Sequence, residues 1–163
     1  MIFNSIHSVA LIMPYTTNDQ TIPKLIMSTS LKKKILSGDN FIKKLIGENY
    51  ANCDFNVDLM ARKLGISKVY LREIISMRYG TSPHKLIEGY RLEKSLILLE
   101  KDLTEYQISK KVGYSSTRSY RRAFKSRFGI LPGKYKEIIK SETGNISEYK
   151  QKLLEKLWSN VIK

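Results

Sequence analysis

The feature that most constrains this fold is an internal repeat. The stretch VDLMARKLGISKVYLREIISMRYGTSP (Val57 to Pro83) returns as EYQISKKVGYSSTRSYRRAFKSRFGILP (Glu105 to Pro132). Met60-Ala61-Arg62-Lys63-Leu64-Gly65 aligns with Ile108-Ser109-Lys110-Lys111-Val112-Gly113 at an offset of 48. Gly80 and Pro83 align with Gly129 and Pro132 at an offset of 49. The second copy therefore holds one extra residue between its first glycine and the core of its second helix. Glycines, apolar positions and prolines that coincide together argue for one local structure used twice.

Each copy reads as helix, tight turn, helix. Asn56 is placed to cap a helix starting at Val57, with Phe55 and Met60 as its hydrophobic staple. Thr104 and Gln107 form a capping box, with Leu103 and Ile108 as the staple. The first helices end at Gly65 and Gly113, where a left-handed residue is free of steric cost. Ser67 and Ser115, two residues on, are the expected caps of the second helices. Those helices bury Leu71, Ile74, Ile75 and Tyr79 in one copy and Tyr120, Ala123, Phe124 and Phe128 in the other, at helical spacing. Between the copies, Ser82 caps a helix with Pro83 in its first position. Leu86, Ile87, Tyr90, Leu92, Leu96 and Leu99 fall on more than one face, so this connector is expected to be buried on two sides.

The spacing thus predicts an all-α fold: a helix-turn-helix over 56–80, a connector helix over 83–100 and a second helix-turn-helix over 104–129, within a unit spanning 39–140. A single helical hairpin of this kind is shared by many proteins. Two in tandem, each with a basic second helix, point to nucleic acid. The charge agrees. Lys and Arg number 29 against 15 Asp and Glu, for a net charge of +14 and a pI of about 9.8. Such a balance favours a polyanion, nucleic acid first and an anionic membrane surface second. Residues 31–140 carry 24 basic and 11 acidic side chains, so the positive field belongs to the repeat region.

Other chemistries find little material. No stretch approaches the length of uncharged apolar sequence that spans a bilayer, so no membrane partner is expected. A single cysteine, Cys53, excludes an internal disulfide and zinc sites built on thiolates; it is expected to be a half-buried residue ahead of the first unit. His7 and His84 are the only histidines, and His84 is expected to be exposed. No nucleophile–base spacing and no Gly-rich phosphate loop is present. The expectation is no enzyme, no metal and no cofactor. Residues 1–38 form an extension with no assigned role. Its apolar part has no preceding Lys or Arg and is broken at Pro14, unlike a signal peptide. In the tail, 141–163, Ile146, Tyr149, Leu153, Leu157, Trp158 and Val161 recur at helical spacing. That amphipathic helix either packs back on the domain or serves a dimer or another partner.

Residues 41–139 resemble the DNA-binding domain of the AraC/XylS family of bacterial transcription regulators. The resemblance is carried by ISKKVGYSSTRSYRRAFKSRFGILPGKY in the second copy and by VDLMARKLGISKVYLREIISMRYGTSPHKLIEGYRLEKSLILL in the first. Ile75 stands where an aromatic is usual, Ser95 and Ser109 replace usual alanines, and Ser119 replaces a commoner aromatic. The two serines are expected to loosen packing. The resemblance implies about seven helices, with two recognition helices entering adjacent major-groove segments of double-stranded DNA. It implies a promoter regulator, most often an activator touching RNA polymerase, in the bacterial cytoplasm at the nucleoid. About 40 residues precede the domain, which resembles the short single-domain members or a C-terminal piece of a longer regulator.

On the first recognition helix the outward residues are Val69, Arg72, Glu73 and Ser76, with Lys68 at the edge. Arg can donate two hydrogen bonds to guanine, Glu can accept from cytosine N4, and Val can touch a thymine methyl. The family's base-reading positions carry over to Val69, Arg72 and Glu73, and in the second unit to Thr117, Arg118, Ser119 and Arg122. Arg121 and Lys125 suit flanking phosphates. Lys68, Lys110, Lys111, Lys134 and Lys136 are phosphate candidates or plain surface lysines, and the helix starts near Ser67 and Ser115 offer backbone N–H groups to phosphate. Arg91 falls at a family position that ties the connector to its neighbours. Two other readings use the same residues: a DNA-coating architectural protein that reads no bases, and an interaction module that antagonises another regulator. The chain is expected to act as a monomer, or as a weak dimer through its C-terminal helix.

Overall fold

The computed structural model describes residues 39–141 and 146–159. The extension 1–38 with His7, and Val161 of the tail pattern, lie outside the described residues. Eight helices and no strand occur among the described residues: α1 Asp39–Asn49, α2 Val57–Leu64, α3 Lys68–Tyr79, α4 Pro83–Leu99, α5 Glu105–Lys111, α6 Thr117–Phe128, α7 Pro132–Ser141 and α8 Ile146–Trp158. The all-α architecture with a long connector follows the sequence expectation.

Local signals set the helix starts. The Asn56 side chain accepts from the Leu59 N–H at 3.0 Å, Ser67 from Tyr70 at 3.1 Å, and Ser82 from Lys85 at 3.3 Å. Thr104 and Gln107 close the reciprocal capping box. Each such cap contributes about 1 kcal/mol. One expectation needs correcting. α6 is capped by Ser116, whose hydroxyl accepts from Ser119 N–H at 3.2 Å, and not by Ser115. The extra residue of the second copy lies in its turn, so the cap falls three residues after the glycine and not two. Ser115 is exposed, and its carbonyl accepts from Lys110 Nζ at 2.8 Å.

Two cores lie along the connector. Ile42 and Ile46 of α1, Phe55, Met60, Leu64, Leu71, Ile74, Ile75 and Tyr79 close on Leu86 and Ile87 of α4. Ile108, Val112, Tyr120, Phe124, Phe128 and Tyr135 close on Leu92, Leu96 and Leu99. The apolar residues on more than one face of α4 thus divide between the units, first half to one and second half to the other. The tail helix α8 completes the second core with Leu153 and Leu157. Its Trp158 ring sits so close to Gly89 that a Cβ there would lie 2.9 Å away, and its Nε1 donates to Glu93 Oε2 at 3.0 Å. The tail therefore packs back on the domain, the first of its two expected uses.

The serines at packed positions are accommodated by hydrogen bonds. Ser95 and Ser109 are both fully buried, and their hydroxyls donate to the carbonyls of Leu92 at 2.7 Å and Tyr106 at 2.8 Å. A bonded hydroxyl escapes the desolvation penalty that an orphan would pay. Cys53 is exposed, contrary to expectation, because the middle of the 50–55 turn, Ala51 to Asp54, projects its side chains outward, while Tyr50 and Phe55 at its ends pack inward. Carbonyls of the turn meet Arg91: Nε donates to Tyr50 O, and an NH2 group donates to Asn52 O and Phe55 O, all at 2.9 Å. From the second unit, Gly113 approaches the same turn at a backbone φ of +83°.

Candidate nucleic-acid interface

The second helices of the two repeats, α3 and α6, are equivalent at the offset of 49, each 12 residues long and ended by a left-handed glycine, Gly80 or Gly129. Burial of Leu71, Ile74, Ile75 and Tyr79 turns the opposite face of α3 outward, and burial of Tyr120, Ala123, Phe124 and Phe128 does the same for α6. Equivalent outward positions are then Val69 with Arg118, Arg72 with Arg121, Glu73 with Arg122, and Ser76 with Lys125. All eight are exposed.

Their partners differ. Among the described residues, Arg72, Glu73, Arg118, Arg122, Lys111 and Lys125 make no hydrogen bond or ion pair, so their charged ends are available. Val69 is 52% exposed, an apolar side chain standing on a polar face. Arg121 is held by a short ion pair to Glu105 of α5. Lys68 pairs with Asp58 at 3.1 Å. Lys134 pairs with Glu137 at 3.0 Å, while the half-buried Lys136 donates to the Leu103 carbonyl at 2.6 Å. Lys136 is thereby engaged inside the protein, which leaves Lys111 and Lys125 as the unpaired lysines of the second unit's predicted set. Thr117 is half-buried with Oγ1 3.4 Å from Ser109 Oγ, and Ser119 lies with its hydroxyl 2.9 Å from Ser116 Oγ. Both hydroxyls thus face other hydroxyls at the start of α6, where Arg118 and Arg122 extend further.

Some candidates were missed. Arg62 and Lys63 are exposed in the last turn of α2, and the repeat makes them counterparts of Lys110 and Lys111. The alignment could have found them. Met77, 74% exposed and one turn beyond Glu73, extends the outward stripe of α3 with an apolar side chain; only its burial, not its type, picks it out.

The arrangement supplies donors in fork geometry, one carboxylate acceptor, an apolar contact and a flank of exposed cations. That set can engage base edges and phosphates together. Among the described residues no cluster of His, Cys, Asp and Glu could hold a metal ion, and no helix is long and apolar enough to cross a membrane.

Comparison with known proteins follows the same lines. A family model described as a helix-turn-helix domain matches residues 60–138. The Msm operon regulatory protein of Streptococcus mutans is 33% identical over 103 residues, which cover 63% of this chain and 37% of that protein. The chain thus spans little more than a third of that relative's length. The probable transcription factor PqrA of Proteus vulgaris is 30% identical over 100 residues, covering 61% of this chain and 82% of that one. Among solved structures, a transcriptional regulator of Chromobacterium violaceum described as having an AraC-type DNA-binding domain superposes with a TM-score of 0.57. It is 22% identical, and the match covers 71% of this chain and 99% of that one. The duplicated helix-turn-helix, the shared connector and these likenesses agree: the chain belongs to the AraC/XylS family of helix-turn-helix transcription regulators.

Proposed function

We propose that this chain is a sequence-specific DNA-binding regulator that reads two adjacent major-groove segments with α3 and α6. It acts at promoters as an activator in contact with RNA polymerase, in the bacterial cytoplasm at the nucleoid. The observation that carries this reading is the pair of equivalent outward faces, with Arg72, Glu73, Arg118 and Arg122 exposed and unpaired among the described residues. A protein that only coats DNA has no use for a carboxylate there, since Glu73 would repel phosphate. A carboxylate does have a use against cytosine N4. Val69, Thr117 and Ser119 complete the base-reading set, and Lys111, Lys125, Arg121 and the backbone near Ser67 serve phosphates. The tail helix commits Leu153 and Leu157 to the second core, which favours a monomer over a dimer through that helix.

Selection from a random duplex library with the full chain, followed by sequencing, tests this. The expected result is one asymmetric motif with two centres about 10 base pairs apart. Retention of duplex without enrichment would instead support a coating protein, and no retention at all would support an antagonist of another regulator. A palindromic motif would point to a dimer with one reading head per chain.

A further inference from the structure

Arg127 lies in the last turn of α6, the second recognition helix, and counts among that helix's basic residues. It does not share the outward face of Arg118, Arg122 and Lys125. Its side chain is only 18% exposed, its Nε lies 3.2 Å from Glu88 Oε1, and an NH2 group lies 3.3 Å from the Lys85 carbonyl. Arg127 neighbours Phe128, a residue of the second core. Lys85 and Glu88 flank Leu86 and Ile87, which belong to the first core. The pair therefore crosses the junction between the two units. A guanidinium turned inward here cannot reach a phosphate without abandoning Glu88, whose half-buried carboxylate would lose its ion-pair partner.

The junction has a second fastening. The Tyr50–Phe55 turn of the first unit is bonded by Arg91 and is approached so closely by Gly113 that a Cβ there would lie 2.0 Å from Tyr50 O. Tyr50 itself packs against both cores. These contacts, unlike those of Arg127, do not touch a recognition helix. Arg127 is the ion-pairing residue that joins α6 directly to the half of the connector owned by the first unit.

We propose that Arg127 is a positioning residue and not a DNA contact: paired with Glu88, it fixes α6 relative to α3 and so sets the half-site spacing that the protein accepts. This rests on the two-groove reading given above. One inserted base pair moves a half-site by about 3.4 Å and turns it by about 35°. A rigid junction resists that displacement, and a loosened one follows it.

The test uses the full chain and the site obtained by selection, with one base pair inserted or removed between the half-sites. Affinities and salt slopes are measured for the natural chain, Arg127→Met, Glu88→Gln and the exchange Glu88→Arg with Arg127→Glu, each checked for helix content. The natural chain should discriminate strongly between spacings. Arg127→Met and Glu88→Gln should each shrink that discrimination by at least about threefold, the scale of one modest ion pair, and leave the salt slope unchanged. The exchange, which restores the pair, should recover it. If the natural chain ignores spacing, the two-groove reading falls and this proposal with it. If the natural chain discriminates and Arg127→Met discriminates equally while its salt slope drops by about one, Arg127 is a phosphate contact and the proposal alone is wrong. Should Arg127→Met not fold, the exchange decides: a folded exchange that discriminates no better than Glu88→Gln overturns the pair's positioning role.

Discussion

Gly65 and Gly113 are the same residue of the repeat, and replacing each by alanine separates two costs that usually come together. Both hold left-handed backbone, with φ of +63° and +83°. For an L-residue that conformation costs about 1–2 kcal/mol, partly offset because alanine restricts the unfolded chain by about 0.4–1 kcal/mol. Beyond the backbone they differ. A Cβ at Gly65 meets nothing within 4 Å, whereas at Gly113 it would lie 2.0 Å from Tyr50 O and 3.0 Å from Arg91 Nε. The obstacle at Gly113 is a backbone carbonyl that accepts from Arg91, so relief requires moving the turn and stretching that bond. Overpacking of this sort costs about 1–3 kcal/mol. Gly65→Ala should then lose about 1 kcal/mol and Gly113→Ala about 3 kcal/mol. In urea unfolding followed by circular dichroism, the midpoint of Gly113→Ala should fall about three times as far at constant m. Equal losses for the two variants would refute the claim that Gly113 is required by its approach to the Tyr50 turn and not by its dihedral angles.

The remaining expectations concern the interface and the core. If the units contact roughly 6–10 phosphates, log K should fall with log[salt] at a slope of about −5 to −9; a flat response in a titration series would rule out nucleic acid as the partner. Arg122→Ala should cost about 1–3 kcal/mol on the selected site and relax preference at one base pair, while Lys125→Ala should weaken selected and random duplexes alike. Equal effects of the two in a mobility shift would remove Arg122 from the base-reading set. Lys136→Ala should lower thermal stability with little change in DNA affinity, since its ammonium is bonded to Leu103 O; a uniform loss of affinity without destabilisation would restore it to the phosphate set. Burial pushes the Tyr135 hydroxyl up to about 12 and raises those of Tyr114 and Tyr120 as well. Because the folded state resists phenolate formation, stability from this source is full below about pH 10, where the unfolded tyrosines are neutral. It declines as pH rises through about 12. Urea midpoints that stayed level across that window would contradict the burial argument.

The legible part of the fold was the part written in short-range chemistry. Caps at Asn56, Ser67, Ser82 and Thr104, glycines at Gly65 and Gly80, and the helical spacing of apolar residues act within one or two turns. Each is visible in a window of sequence. The position of the extra residue in the second copy was not, because Ser115 and Ser116 are chemically the same and alignment of the cores does not say which side of the turn absorbs it. The outward faces of α3 and α6 were likewise legible from periodicity, but their pairing was not. Glu88 meets Arg127 across 39 residues, Lys136 meets Leu103 across 33, and Lys150 meets Glu100 across 50. No repeat or period encodes such meetings, so a lysine that faces solvent and one that bonds a carbonyl look alike until the helices are packed. Cys53 failed as an expectation for the same reason, since exposure in an irregular turn depends on what the turn is packed against.

If α3 and α6 are the two reading heads proposed above, the repeat gives them one backbone and different electrostatics, and this inequality bears on how they divide their work. At the central outward position the first unit carries Glu73 and the second Arg122. Next to it, Arg72 is unpaired among the described residues while its counterpart Arg121 is drawn to Glu105. The outward face of α6 keeps Arg118, Arg122 and Lys125 with no acid, whereas that of α3 sets Arg72 beside Glu73. Phosphate attraction is strong, long in range and blind to sequence, so the second head is suited to supply affinity. A carboxylate is repelled by every phosphate and welcomed only by a base-edge donor. On the reading proposed above, the first head would bind poorly wherever the base opposite Glu73 is wrong, which suits it to supply discrimination. That division works only while the two heads are held at fixed separation, because a tethered second head would bind anywhere and leave the first idle. In the proposed reading, the buried connector, the Tyr50 turn wedged between Gly113 and Arg91, and the inward-facing Arg127 would be the physical means by which affinity gained at one end is made conditional on the sequence met at the other.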